Sequence, residues 1–146
     1  MIAVDTNIFV YANREESPRH AVALATIRRL AEGLEAWALP IFCVGEYLRV
    51  VTHERVFDPP TPIEDALSAI ESVIQSPSVR LLTPGDRYLP LLRSTIERSG
   101  VAGNLVFDAQ IAALCLEHGA TTLLTEDRDF VRFPGLTVIG LDEYAA

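Results

Sequence analysis

Apolar positions along this chain fall into short unbroken runs that alternate with longer stretches of helical periodicity. Ile2-Ala3-Val4 is the first run, and it ends on Asp5-Thr6-Asn7, a polar triplet suited to a strand end or a helix cap. A short helix is expected over Ile8–Ala12. Ser17-Pro18 punctuates the chain before a second helix, from about Arg19 to Glu32, with Ala23, Ile27 and Leu30 at helical spacing. Gly33 closes it. Ala36 to Leu39 reads as a buried strand, and Pro40 opens a third helix to about His53 with Val44, Tyr47, Leu48 and Val51 on one face.

Asp58-Pro59-Pro60 is the clearest break. Thr61-Pro62-Ile63-Glu64 predicts a capping-box start, followed by an amphipathic stripe from Ile63 to Ile74. Val79 to Leu82 is strand-like, and Thr83-Pro84 is expected to cap a helix from about Asp86 to Arg98. Asn104 is expected to cap the most apolar helix, Leu105 to Glu117, closed by His118-Gly119. Thr122 to Leu124 is a strand, Glu126 to Arg132 a turn and short helix, and Leu136 to Ile139 a last strand. Apolar strands alternating with helices predict an α/β fold around a mostly parallel central sheet flanked by helices. With no repeat and no internal boundary, residues 1–146 read as one domain.

Composition narrows the function. At 49% hydrophobic and 22% charged the chain is globular, and its longest apolar stretch, Leu105 to Leu116, is interrupted by Asp108 and Gln110, so no membrane span is expected. The opening residues lack the basic start of a signal peptide, which points to the cytoplasm. The net charge of -8 argues, taken alone, against a protein that coats itself with nucleic acid. All 12 basic residues are Arg. The absence of Lys excludes P-loop NTPases, Schiff-base enzymes, and receiver-like or haloacid-dehalogenase-like phosphotransfer sites. Cys43 and Cys115 are far apart among apolar neighbours and read as buried thiols. His20, His53 and His118 share no metal spacing, and no Gly-x-Ser-x-Gly elbow exists.

The carboxylates are more telling. In open parallel sheets, ligands bind beyond the carboxyl ends of the strands. Asp5 ends the first strand, Glu46 lies within two turns of the second, Asp108 is in the first turn of the apolar helix, and Asp127 and Asp129 follow the fourth strand. Singly, each has an ordinary structural explanation: Asp5 as a helix cap, Glu46 as a partner of Arg49, Asp127 and Asp129 as a solvated turn. Asp108 is the exception, because it interrupts a run of residues expected to be buried. Gathered together, carboxylates about 4 Å apart repel by roughly 4 kcal/mol at an effective dielectric of ~20, so such a group calls for a cation. Oxygen-only donors favour Mg²⁺ or Mn²⁺, the ions of metal-assisted phosphodiester hydrolysis.

Four blocks, VDTNIFVYA, GEYLRVVTHERVF, NLVFDAQIAALCLEHGA and LLTEDRDFVRFPGL, resemble PIN-domain ribonucleases, specifically the VapC-type toxins of type II toxin–antitoxin pairs. The resemblance spans nearly the whole chain. It implies an acidic quartet of Asp5, Glu46, Asp108 and Asp127 that is both metal-binding and catalytic, with Asn7 and Thr125 orienting ligands or waters and Asp129 as a support or alternate ligand. Gly45 and Phe107 depart from the pattern, standing before Glu46 and Asp108 where Ser or Ala and a polar residue are usual. The implied activity is a Mg²⁺-dependent endoribonuclease (Mn²⁺ serving as the alternative ion), with an activated water attacking phosphorus in line. The implied partners are an RNA substrate, a cognate antitoxin whose C-terminal segment crosses the acidic groove, and a second copy in a homodimer. Arg14, Arg49 and Arg55, near the acidic segments in chain order, are the candidates for gripping RNA. Phe9, Tyr11 and Trp37 are expected in the core rather than against bases.

Two further readings remain open at this stage. A degenerate domain acting as a binding module would need a lost acid, and all four are present. A PIN-like nuclease acting on DNA or in transcriptional regulation, and a metal-dependent phosphatase of small molecules, would differ in substrate.

Overall fold

The computed structural model describes residues 1–146. Five parallel strands form one sheet in the order β3-β2-β1-β4-β5. They are β1 (Ile2–Val4), β2 (Trp37–Pro40), β3 (Val79–Leu82), β4 (Thr122–Leu124) and β5 (Thr137–Ile139). The three inner strands are the most apolar. Trp37, Ala38 and Leu39 of β2, Ala3 and Val4 of β1, and Leu123 and Leu124 of β4 are fully buried. Such double-sided burial is what helices on both faces impose.

Those helices are α1 (Thr6–Asn13), α2 (His20–Glu32), α3 (Ile41–Val51), α4 (Ile63–Ile74), α5 (Tyr88–Ser99), α6 (Leu105–Glu117) and α7 (Leu141–Ala145), with a 3₁₀ turn over Arg128–Arg132. The most apolar helix is also the best buried: Ile111, Ala112, Ala113, Leu114 and Cys115 of α6 are at most 1% exposed. Both cysteines are free and buried. No helix is long and apolar enough to cross a membrane.

Topology fixes where a site can form. From β1 the chain moves outward through β2 to β3, then returns to place β4 on the other side of β1. Chain direction across the sheet therefore reverses between β1 and β4, and a crevice opens there beyond the strand ends. The two strands pair Ile2 with Thr122, Ala3 with Leu123 and Val4 with Leu124, and the Asp5 amide donates to the Leu124 carbonyl at 3.0 Å.

Helix starts differ most from expectation. The Thr61–Glu64 capping box does not form: α4 begins at Ile63 without a side-chain cap, and the Thr61 hydroxyl donates to Asn13 Oδ1 at 2.9 Å. Asn104 sits in helical conformation and caps nothing with its side chain. Helix α5 starts at Tyr88, two residues late, because the preceding loop is held from outside. The Glu117 carboxylate accepts from the Gly85 and Arg87 amides at 2.9 and 3.0 Å. Helix α7 is an element the hydrophobic pattern did not announce. Its start is tied down by Glu126, whose Oε2 accepts from the Leu141 amide and whose Oε1 accepts from Arg19.

Candidate functional site

Asp5 is the side chain around which the crevice is built. It is 4% exposed and caps α1, Oδ1 accepting from the Thr6 amide at 2.7 Å. Its Oδ2 accepts from the Thr125 hydroxyl at 2.7 Å and from Asn7 Nδ2 at 3.4 Å. So the cap reading and the site reading of Asp5 are both true. Thr125 ties the two central strands together: its hydroxyl also accepts from Asn7 Nδ2 at 3.0 Å and from the Asp127 amide at 3.0 Å. Asn7 Oδ1 in turn accepts from the Glu126 amide. Asn7 and Thr125 thus hold the loop after β4 against the end of β1.

Asp5, Glu46, Asp108 and Asp127 line one cleft of about 290 Å³, together with Thr6, Asn7 and Tyr11. Each arrives from a different element: the end of β1, the second turn of α3, the first turn of α6 and the loop after β4. Asp129 comes in beside them. One carboxylate oxygen each of Asp108, Asp127 and Asp129 lies within 4.8 Å of the others. The Asp127 side chain also accepts from the Asp129 amide at 2.9 Å, and Asp129 pairs with Arg132 at 3.2 Å.

Electrostatics follow from that crowding. Burial pushes Asp5 up to about 6 against the hydrogen bonds that favour its charge, with the carboxylates of Glu46 and Asp127 adding to the rise. Asp108 is pushed up to about 7, by burial first and then by Asp127, Asp5, Glu46 and Asp129. Glu46 is raised by burial, with Arg49 opposing through its charge. No ion pair joins Glu46 to Arg49; the charge acts at a distance. Beneath the cluster the Cys43 thiol approaches Asp5 Oδ1 at 3.7 Å, and burial raises the thiol's pKa well above its ordinary value.

Does this group fit a divalent cation? The donors are all oxygen, they carry like charge at close range, and no Arg or His enters an ion pair with Asp5, Glu46, Asp108 or Asp127. The Thr6 hydroxyl in the same cleft turns to Glu46 and favours its charged form. Clustered oxygen donors with no paired cation are what a hydrated hard ion would satisfy. The residues fit.

Of the arginines, Arg14 is fully committed elsewhere. Its guanidinium binds Glu16 at 2.7 Å, the Thr61 hydroxyl at 2.9 Å and the Pro59 carbonyl at 2.9 Å, and lies 4.4 Å from the centre of the Phe57 ring. It anchors the loop before α4. Arg55 is exposed on the turn after α3. Arg49 lines a second, larger cleft of about 630 Å³ that shares Glu46 and Asp108 with the first. That cleft was not apparent from the chain pattern. It is lined by Phe107, 64% exposed, and by exposed Gly45, where an added Cβ would meet no atom within 4 Å. A helix-interior glycine with no packing reason costs about 1 kcal/mol relative to Ala. Phe9 and Trp37 are buried and stacked on each other, as expected of core, while Tyr11 is half-buried at the acidic cleft.

The PIN domain model matches residues 2–136, so this chain, with its parallel sheet and acids from four segments at the switch point, belongs to the PIN domain family. Within it the similarity is to VapC ribonucleases. Ribonuclease VapC43 of Mycobacterium tuberculosis is 38% identical over 133 residues, covering 91% of this chain and 90% of the relative. Ribonuclease VapC25 of the same species is 32% identical over 133 residues, covering 91% and 93%. Among solved structures, VapBC2 from Rickettsia felis, bound to a DNA fragment from their promoter, superposes with a TM-score of 0.67 at 22% identity, covering 96% of this chain and 98% of that one. At that identity the likeness concerns the fold.

Proposed function

We propose that this chain is a divalent-metal-dependent endoribonuclease and the toxin half of a toxin–antitoxin pair. The observation that carries the reading is the convergence of Asp5, Glu46, Asp108 and Asp127 on one cleft at the strand ends, with Asp5 and Asp108 held above the ordinary carboxylate range. Identity of 38% to a VapC ribonuclease across nine-tenths of the chain supports the substrate class.

In this reading Asp108 and Asp127 are the principal ion-holding groups, with Glu46 facing them and Asp129 within reach. Asp5 is pinned on both oxygens by Thr6, Thr125 and Asn7, so its charge is aimed rather than mobile. It fixes the depth of the site. When bound, a Mg²⁺ or Mn²⁺ ion supplies activation of water and stabilisation of charge growing on the phosphate. Thr6 supports the charge of Glu46 in the same cleft. Arg49, whose charge acts on Glu46, supplies the grip on the phosphate backbone, with exposed Arg55 beyond it.

Partners follow from charge. An acidic cleft attracts a cationic peptide, so a cognate antitoxin segment carrying Arg would occupy the ion's place and block RNA. Self-association as a homodimer and a cytoplasmic setting complete the reading. The test is cleavage of total RNA by the purified chain with Mg²⁺, with chelator, and with Asp5→Asn. Metal-dependent cuts that vanish in the variant are expected; cutting that survives both chelator and Asp5→Asn would refute the assignment.

A further inference from the structure

Two helices frame the larger cleft with matched spacing. From α3 it takes Phe42, Gly45, Glu46 and Arg49; from α6 and the residue before it, Asn104, Phe107, Asp108 and Ile111, with Gln110 beside them. Gln110 apart, each set runs i, i+3, i+4, i+7, the stripe of one helical face. In each the third member is an acid that also lines the metal cleft. The two clefts therefore adjoin, with Glu46 and Asp108 lining both.

The chemistry of this cleft differs from that of its neighbour. Phe107 leaves most of its ring in solvent on a helix whose other apolar residues are largely buried. Nothing in the chain stacks on it. The Asn104 side chain makes no cap hydrogen bond, and Gln110 presents a second carboxamide to the cavity. Arg49 adds the one positive charge. Exposed Gly45 leaves open space in the lining where a side chain would meet no obstacle. A flat apolar face, carboxamides able to donate and accept, a guanidinium and the open space at Gly45 make a receptor for a planar, polar-edged group attached to an anion. An aromatic face with hydrogen-bonding side chains around it is how unpaired bases are held. A volume near 630 Å³ lies within the ~300–1,000 Å³ range of sites for molecules rather than bare ions.

We infer that this cleft is a nucleobase subsite, seating the unpaired base next to the scissile phosphate on Phe107, with Arg49 on the adjoining phosphate. The inference rests on the nuclease reading and deepens it. Phe107 and Gly45 then determine which nucleotide flanks the cut, while the carboxylates determine that a cut is made.

The test measures binding of fluorescein-labelled single-stranded RNA homopolymers of A, C, G and U, with Ca²⁺ in place of Mg²⁺ to keep the RNA intact. Phe107→Ala and Gly45→Leu should each weaken binding by roughly 5- to 150-fold, the loss of one stacked base. Phe107→Trp should retain affinity, and its emission should be quenched by RNA. Mn²⁺ affinity, read by water-proton relaxation, should match wild type in all three. Gly45→Leu guards against misfolding, since its site is empty and helix propensity rises; its thermal midpoint should not fall.

Wild-type RNA affinity in both Phe107→Ala and Gly45→Leu would overturn the subsite. So would a changed oligomeric state in Phe107→Ala with unchanged RNA affinity, which would assign the exposed ring to a protein interface. If wild type cuts RNA and Asp5→Asn does not while the cleft variants bind normally, the subsite alone falls. If Asp5→Asn still cuts, the nuclease reading falls and the subsite with it.

Discussion

Asp5 and Glu117 are both buried carboxylates, 4% and 8% exposed, and they have opposite fates. Glu117 is enclosed by donors. Its oxygens take the Gly85 and Arg87 amides, and the Arg87 guanidinium closes on its backbone carbonyl at 2.7 Å. Asp5 also has donors, but beyond them it faces Glu46 and Asp127, and its pKa climbs to about 6. Burial alone therefore does not mark a functional acid. What separates the two is the sign of the next neighbours: donors around Glu117 make a brace, and further acids around Asp5 make a site that lacks a cation of its own.

The sharpest way to break this comparison is to exchange the expected losses. Asp5→Asn should lower metal-dependent RNA cleavage by about 1,000-fold or more, the several kcal/mol an ion site contributes, with little change in thermal midpoint. Glu117→Ala should leave the specific activity of the folded fraction within a few-fold of wild type. Parallel cleavage assays and melting curves on both variants check this, and an inactive, well-folded Glu117→Ala would refute the distinction.

Next in size is stability. Glu117→Ala strands two amide groups, and at about 1–3 kcal/mol for each unsatisfied group it should cost roughly 3 kcal/mol in urea unfolding.

Asp108 gives a smaller, pH-dependent effect in metal-free protein. Its folded pKa of about 7 exceeds the ordinary 3.8, so between these values the folded state keeps a proton that the unfolded state has released. The native state therefore loses stability as pH rises through that window, and the cost is fully present above it. Asp108→Asn should match wild type near pH 4 and exceed it by on the order of 1 kcal/mol near pH 8, a figure reduced for its half-exposure. A difference that stays flat from acid to neutral pH would show that Asp108 does not feel its neighbours. Smallest is Gly85→Ala. Its Cβ would sit 2.9 Å from Glu117 Oε2, so the brace must shift, at about 1 kcal/mol. A melting curve unchanged from wild type would mean that the loop adapts freely.

The same contrast explains how much of the molecule the sequence disclosed. Strand ends are local events, so Asp5 after β1 and Asp127 after β4 are legible from short apolar runs and the polar residues that stop them. Asp108 is legible because a charge inside so apolar a helix needs a reason. Contacts between distant segments are not written locally. The Asn104 and Thr61 caps were reasonable from composition, yet the first makes no cap hydrogen bond and the second spends its hydroxyl on Asn13. Arg14 looked available for RNA because Pro59, Thr61 and Phe57, which absorb it, lie more than forty residues away. The second cleft escaped for a related reason. Gly45 and Phe107 stood out one at a time as departures from a pattern, and only the packing of α3 against α6 makes them neighbours of one cavity.

One hydrogen bond described above reaches beyond the folded state. Thr125 and Asp5 lie 120 positions apart, and the bond between them joins the end of β1 to the end of β4. Residues 1–100 carry Asp5 and Glu46 but neither Asp108 nor Thr125. The carboxylate cluster therefore cannot assemble on a nascent chain until the residues after β4 have emerged. A fragment cut before β4 keeps Asp5 and Glu46 yet lacks the Thr125 hydroxyl and the Asp127 carboxylate that complete the cleft.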